Sequence, residues 1–212
     1  MSNYYPIYVD VENKPILIIG GGSIALRKVE TLLEYGALIK IISPRIIPEL
    51  QDRVNKKQCE WIPREYSSED IEDSFLVFSC TEKEEVNARV AQDVQDSSRL
   101  INVVDDPDKC SFIVPSTMRR GDLSIAVSTS GSSPMVARQI REELEGFYGD
   151  EIRVYLNLLK TWRKEIKQHL PPEKRQQFWH KVTDGEVLNF IKQGQQDQAK
   201  EVIANCFRLL LD

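Results

Sequence analysis

The sequence predicts an α/β protein: a Rossmann-like parallel sheet, then a small mixed α/β region, then an all-helical C-terminal region. Three observations carry this. Short, continuously apolar runs alternate with helix-period segments as far as Val104; Gly20-Gly21-Gly22 directly follows the first run; and from Asp150 onward no strand pattern is convincing. Strands alternating with helices imply βαβ units, whose crossovers are right-handed almost without exception.

The first run, Pro15 to Ile19, does not alternate with polar residues. That is how a strand buried on both faces reads, and it favours a parallel sheet. Beyond the glycines, Ile24, Ala25, Val29, Leu32 and Leu33 recur at helical spacing, and Gly36 stands where a C′ glycine would. A second strand is expected from Leu38 to Ile42, then a helix near Pro48 to Val54 and a short strand at Glu60 to Ile62. A strand from Phe75 to Cys80, a helix over about Glu84 to Asp96 and a strand from Leu100 to Val104 complete this half.

After Pro107 the pattern changes. Cys110 to Val114 and Leu123 to Ser128 read as strands joined by a basic turn containing Arg119, Arg120 and Gly121. Ser133-Pro134 reads as an N-cap followed by proline at the first helical position, opening a helix with Val136, Ile140 and Leu144 on one stripe. In the tail, Val154, Leu158, Trp162 and Ile166 mark an amphipathic helix, Pro171-Pro172 breaks it, and further helices follow. These changes put boundaries near Pro115 and Asp150.

With 41% hydrophobic and 29% charged residues, the 212-residue chain has ordinary globular composition, which excludes disordered, collagen-like and disulfide-scaffold classes. The formal charge of -5 has the wrong sign for a surface that grips nucleic acid or anionic lipid, so neither partner is expected, although a local basic site is compatible with it. Cys59, Cys80, Cys110 and Cys206 lie far apart, without zinc spacing, and read as free thiols in a reducing compartment. No metal site is expected. Met1-Ser2-Asn3-Tyr4-Tyr5-Pro6 has no basic segment followed by an apolar one, and no stretch approaches the ~18 apolar residues of a spanning helix. The expected location is cytoplasmic.

Gly20-Gly21-Gly22-Ser23-Ile24-Ala25 fits G-x-G-x-x-A at the mouth of a helix. Gly20 permits the tight turn, Gly22 lets the backbone approach a pyrophosphate, and Ala25 allows close helix-to-strand packing. The helix N-terminus offers free N–H groups and partial positive charge to the anion. The alternative is a glycine-rich turn that binds nothing. The acidic residue expected ~20 residues beyond the glycines to hold the ribose 2′-hydroxyl is missing, because the second strand ends Ile42-Ser43-Pro44-Arg45. Ser43 could hydrogen-bond a ribose hydroxyl, whereas Arg45 would tolerate a 2′-phosphate, so NAD and NADP are not distinguished here.

Asn102-Val103-Val104-Asp105-Asp106-Pro107 places two carboxylates where the fifth strand runs out. Ligands in open α/β sheets sit outside those carboxyl ends. Asp105 therefore reads either as a base beside a nicotinamide or as a turn former, and Asp106 as an Asx-turn before proline. A second small-residue turn, Ser128-Thr129-Ser130-Gly131-Ser132-Ser133-Pro134, has Arg119, Arg120, Arg138 and Arg141 around it in sequence. Arginine forks suit a polycarboxylate. The alternative is a solvated helix face with Arg138/Glu142 and Arg141/Glu145 pairs.

Together these stretches resemble the precorrin-2 dehydrogenase and sirohydrochlorin ferrochelatase family, including the N-terminal half of siroheme synthases. The resemblance rests on Pro6-Ile7-Tyr8, on Gly20 to Lys28, on Asn102 to Asp105, on Cys110 to Pro115, and on Ser128 to Arg138. It implies NAD-dependent oxidation of precorrin-2 to sirohydrochlorin by an intertwined homodimer, with or without Fe2+ insertion. It implies a catalytic aspartate at Asp105 and a dinucleotide along Gly22, Ser23 and Ile24, along Ser43, Pro44 and Arg45, and near Thr81; Gly20 of the glycine turn and Val104 beside Asp105 are expected to line the same site. From the chemistry of that turn and its arginines, substrate contacts are expected at Ser128, Thr129, Ser130, Ser132, Arg119, Arg120 and Arg138; Thr129 stands where some relatives carry serine. The corresponding regions are an NAD-binding domain over 1–114, a dimerisation and substrate region over 115–149, and a helical domain over 150–212. No methyltransferase domain follows, so uroporphyrinogen methylation is expected of another protein.

Precorrin-2 carries eight carboxylates, which suits a basic pocket on an acidic protein. Asp105 is expected as general base, its pKa raised by burial beside those carboxylates. A non-catalytic dinucleotide sensor acting through the helical tail is the competing reading; it would bind NAD without binding a tetrapyrrole.

Overall fold

The computed structural model describes residues 4–97 and 99–211. Residues 1–3, read above for a leader, lie outside them. The chain divides into two compact units, Met1–Val114 and Pro115–Asp212.

In the first unit, β1 (Pro15–Ile19), β2 (Leu38–Ile42), β3 (Glu60–Ile62), β4 (Leu76–Ser79) and β5 (Leu100–Val103) form a five-stranded sheet in the order β3-β2-β1-β4-β5. Every pairing is parallel. Helices α1 (Ser23–Glu34), α2 (Pro48–Asn55) and α3 (Glu84–Ser97) connect the strands. The apolar run of β1 follows from packing on both faces. Ile16 and Ile18 join Ala25, Val29 and Leu32 of α1 in one cluster, whereas Leu17 and Ile19 join Val90, Ala91 and Val94 of α3 in another. Each aliphatic side chain buried this completely contributes about 1.5–3 kcal/mol. Gly36 adopts the left-handed conformation (φ 74°) that ends α1 after Tyr35. Strand order reverses between β1 and β4, the position at which such sheets open a crevice.

One expected strand is absent. Cys110 to Val114 runs beside β5 without joining the sheet, because side chains supply much of its bonding. The Ile101 amide donates to Ser111 Oγ at 2.8 Å, and Asn102 Nδ2 donates to the Phe112 carbonyl at 3.1 Å.

The second unit opens with an antiparallel hairpin of β6 (Ser116–Arg120) and β7 (Leu123–Val127), with Arg120 paired to Leu123. Arg119 and Arg120 therefore lie on a strand rather than in the turn, which is left to Gly121 (φ 61°) and Asp122. Among the described residues five helices follow: α4 (Pro134–Phe147), α5 (Glu151–His169), α6 (Pro172–Val182), α7 (Glu186–Lys192) and α8 (Gln196–Leu211). Phe178, Ile166, Val187 and Ile203 are buried at the centre, with Trp162 and Phe207 packed around them. Pro171 forces Leu170 into extended backbone and so separates α5 from α6. Among the described residues no helix is long and apolar enough to cross a membrane.

Ser133 caps α4: its Oγ accepts the Val136 amide at 3.3 Å, and Pro134 occupies the first turn. Ser133→Ala is expected to lower stability by about 1 kcal/mol, read as a reduced urea midpoint at unchanged slope.

Candidate dinucleotide site

A cleft of about 680 Å³ opens where β1, β2, β4 and β5 end. Gly20, Gly22, Ser23 and Ile24 line one part of it, Ser43, Pro44 and Arg45 another, and Thr81, Val104 and Asp105 a third. The residues expected to hold a dinucleotide and the expected base are thus brought to one crevice.

The three glycines are not equivalent. Gly20 is left-handed (φ 120°), and a Cβ there would lie 2.4 Å from the Cys80 carbonyl oxygen. A Cβ on Gly21 would meet the Arg45 carbonyl oxygen at 2.1 Å, so the middle glycine is needed to let the β2–α2 turn pass. A Cβ on Gly22 would meet no described atom within 4 Å beyond its chain neighbours, which leaves open space in front of α1. Gly22 is the N-cap residue and has no side chain to close the helix; no acidic residue occupies the first turn either. The leading amides of α1 and its dipole thus face a pocket able to take an anion. The residues present fit a dinucleotide.

Ser43 serves the fold first. Its Oγ donates to the Arg45 carbonyl at 2.7 Å, and Trp61 Nε1 donates to the Ser43 carbonyl at 2.9 Å. The hydroxyl hydrogen is engaged, leaving the oxygen as an acceptor for a ribose hydroxyl. Arg45 is exposed in the cleft.

Asp105 sits at the rim in the left-handed region (φ 60°), a conformation that aspartate tolerates better than most residues. The first unit leaves its side chain exposed. Asp106 differs. Its carboxylate accepts from Lys109 Nζ at 2.5 Å instead of capping the following 3₁₀ turn, and Lys109 also bonds Glu84. The Lys109 hydrogen bond holds the Asp106 carboxyl below its ordinary value. Its charged form thus favours the folded turn at neutral pH, and that contribution is lost as pH falls from the ordinary carboxylate range through the lowered value. Lys109→Met is expected to flatten this acid-side slope, as read by melting temperature against pH. Cys110 closes the same loop: Sγ accepts the Val103 amide at 3.1 Å and donates to the Asp106 carbonyl at 3.2 Å.

The remaining candidates lie in the second unit. Thr129 Oγ1 accepts the Ser133 amide and donates to the Ser133 carbonyl, while Ser128 Oγ accepts the Ser130 amide. The Ser132 amide donates to the Thr129 carbonyl, and Ser130 (φ 52°) and Gly131 (φ 87°) are left-handed. Hydroxyls of this turn are thus engaged in holding its shape. Arg138 pairs with Glu142 at 2.8 Å and Arg141 with Glu145 at 2.5 Å, which is the helix-face arrangement. Arg119 and Arg120 donate to the nearby carbonyls of Gly121 and Arg119.

Tyr66 and Asn87 also line the cleft and were not marked by the sequence reading. Tyr66 is buried, donates its hydroxyl to Asp93 at 2.8 Å, and packs under the Arg89 guanidinium. Burial, then the Asp93 hydrogen bond, push its phenol well above the ordinary range and keep it protonated. Asn87 stands on the apolar stripe of α3 with Val90, Ala91 and Val94. A polar residue at an apolar helix position was the available signal.

The family described as "Putative NAD(P)-binding" matches residues 7–116, "Sirohaem biosynthesis protein central" matches 120–146, and "Sirohaem synthase dimerisation region" matches 156–206. The chain is 36% identical over 203 residues to a siroheme synthase of Zymomonas mobilis, covering 95% of this chain and 43% of that protein. It is 36% identical over 200 residues to one of Mannheimia succiniciproducens, covering 94% and 42%. The chain thus spans less than half the length of these relatives. A solved structure described as "SirC, precorrin-2 dehydrogenase" superposes with a TM-score of 0.79 at 24% identity, covering 95% of this chain and 100% of that one, and so shares the fold. The chain belongs to the NAD(P)-binding family of siroheme-biosynthesis proteins, in which a dinucleotide-binding region is followed by a sirohaem central region and a sirohaem synthase dimerisation region.

Proposed function

We propose that the chain oxidises precorrin-2 to sirohydrochlorin with NAD+, as a homodimer in the cytoplasm. The observation that carries this reading is that the N-terminus of α1, without a side-chain cap, and the exposed Asp105 line one cleft. The leading amides of α1 hold the diphosphate, with Gly22 leaving it room. Glu65, Glu82, Glu84, Asp105 and Asp106 line the same cleft against the cations of Arg45 and Lys83. That excess of carboxylates disfavours a further phosphate and supports NAD over NADP.

The oxidation removes two electrons and two protons from the macrocycle. Bound NAD+ supplies the two-electron oxidant, accepting the electron pair with one proton. Asp105 takes the other proton on a carboxylate oxygen, which its exposed position in the cleft lining leaves accessible to a substrate outside. Arg119, Arg120 and Arg138 are the cations assigned to the substrate's carboxylates, with Ser128, Thr129, Ser130 and Ser132 as hydroxyl and amide donors. For Arg138 this requires exchange of the Glu142 carboxylate for one of the substrate's, a near-balanced trade for an exposed pair. The match of 156–206 to a dimerisation region supports the homodimer, and the free thiols of Cys59, Cys80, Cys110 and Cys206 suit a reducing compartment.

Anaerobic incubation with precorrin-2 and NAD+ tests the reading. NADH and sirohydrochlorin are expected in equal amounts, with slower turnover on NADP+; later addition of Fe2+ reports any metal insertion. NAD+ binding without oxidation or tetrapyrrole binding would point instead to a sensor.

A further inference from the structure

We infer that Asn87 is a positioning residue for the cofactor: its amide locks the end of β4 to the loop that carries Thr81 into the cleft. The inference rests on the dinucleotide reading of that cleft. Ser79 is fully buried and Asn87 is 5% exposed, in the interface between β4 and α3. Polar groups at such a depth cost stability unless they are hydrogen-bonded. Here they are: Ser79 Oγ donates to Asn87 Oδ1 at 2.7 Å, and Asn87 Nδ2 donates to the Thr81 carbonyl at 3.1 Å. Thr81 Oγ1 in turn accepts the Lys83 amide at 3.2 Å, so one chain of bonds runs from the strand through the side-chain amide into the loop.

Packing alone does not call for this arrangement. Apolar residues replacing both Ser79 and Asn87 would fill the same space at little net cost, because a hydrogen-bonded buried pair and a well-packed apolar pair are close in stability. What they would not supply is a donor aimed at the Thr81 carbonyl. Among the described residues no backbone amide outside the regular elements donates to that carbonyl, and Thr81 lines the cleft together with the glycine turn. A side chain with an acceptor and a donor on one rigid plane meets both needs, and asparagine is the shortest that does. Aspartate has the same shape but turns an acceptor toward the Thr81 carbonyl, so Asn87→Asp inverts the clamp.

The test is calorimetric titration of the intact protein with NAD+, together with steady-state oxidation of precorrin-2. Asn87→Asp is expected to raise the NAD+ dissociation constant and KM about tenfold, the equivalent of one lost buried hydrogen bond. kcat at saturating NAD+ and the KM for precorrin-2 stay within about twofold on the same grounds. Ser79→Ala, which frees the amide to rotate while keeping its donor, gives a smaller rise of about threefold and serves where Asn87→Asp does not fold. Unchanged NAD+ affinity in the folded variant, or a loss confined to kcat, overturns the inference. Absence of NAD+ binding by the unaltered protein would instead overturn the dinucleotide reading itself.

Discussion

Asp105→Asn is expected to lower the turnover of precorrin-2 by about 10²–10⁴-fold, the range typical for removal of a general base, while NAD+ affinity stays within twofold. The amide has the shape of the carboxylate but cannot take a proton. It also preserves the backbone: Asp105 is left-handed at φ 60°, and asparagine shares aspartate's tolerance for that region. Asp105→Ala would mix loss of the base with strain in the turn, so the asparagine variant separates chemistry from fold. The loop around the residue is held by contacts that the substitution does not touch, the Cys110 clasp and the Asp106–Lys109 pair. Single-turnover oxidation by the variant at saturating NAD+ is the measurement. Undiminished turnover would remove Asp105 from the mechanism.

The second large effect divides the glycine turn. Gly21→Ala drives a methyl group to 2.1 Å from the Arg45 carbonyl oxygen and 2.9 Å from Ile46 Cα, both backbone atoms that cannot swing aside. Such overpacking costs about 1–3 kcal/mol of stability and displaces the Ser43–Arg45 wall of the cleft. A loss of NAD+ affinity on the order of 100-fold is expected, the equivalent of about 2.7 kcal/mol. Gly22→Ala behaves differently. Beyond its chain neighbours no described atom lies within 4 Å of the added methyl, and Gly22 has negative φ (-95°), so the stability loss is limited to the roughly 1 kcal/mol by which alanine is the poorer N-cap. NAD+ affinity still falls, because the methyl occupies space in front of the α1 amides. Thermal melts and NAD+ titrations on both variants check the contrast. Equal NAD+ affinity in Gly22→Ala and the unaltered chain would mean that the diphosphate lies elsewhere.

Much of the first unit was legible because both faces of its sheet are covered. A strand packed by α1 on one side and α3 on the other must be apolar at every position, as β1 is, and such a run stands out without any alternation. Gly20 and Asp105 were legible for a related reason: position in a βαβ unit determines which loop ends face the crevice. The errors arose where side chains replace backbone ladders. Cys110 to Val114 has strand composition, yet Ser111 and Asn102 take up bonds that a ladder would use, and strand pairing passes to Ser116–Arg120. Gly21 falls on an unspecified position of the motif, and what requires it there is the β2–α2 turn, which is distant in sequence and crosses it in space. Asn87 required knowing that Ser79 and Thr81 flank it in space, which spacing along one helix does not reveal. The exposure of Asp105 likewise belongs to the tertiary structure, since nothing in Val103-Val104-Asp105 separates a rim from a pocket.

The most direct test of the central claim is a crystal structure of the protein with NAD+ bound. The diphosphate is expected against the amides that open α1, beside Gly22, with the nicotinamide on the side of the cleft that carries Val104 and Asp105. A dinucleotide bound away from the glycine turn, or one whose nicotinamide lies far from Asp105, would contradict the account.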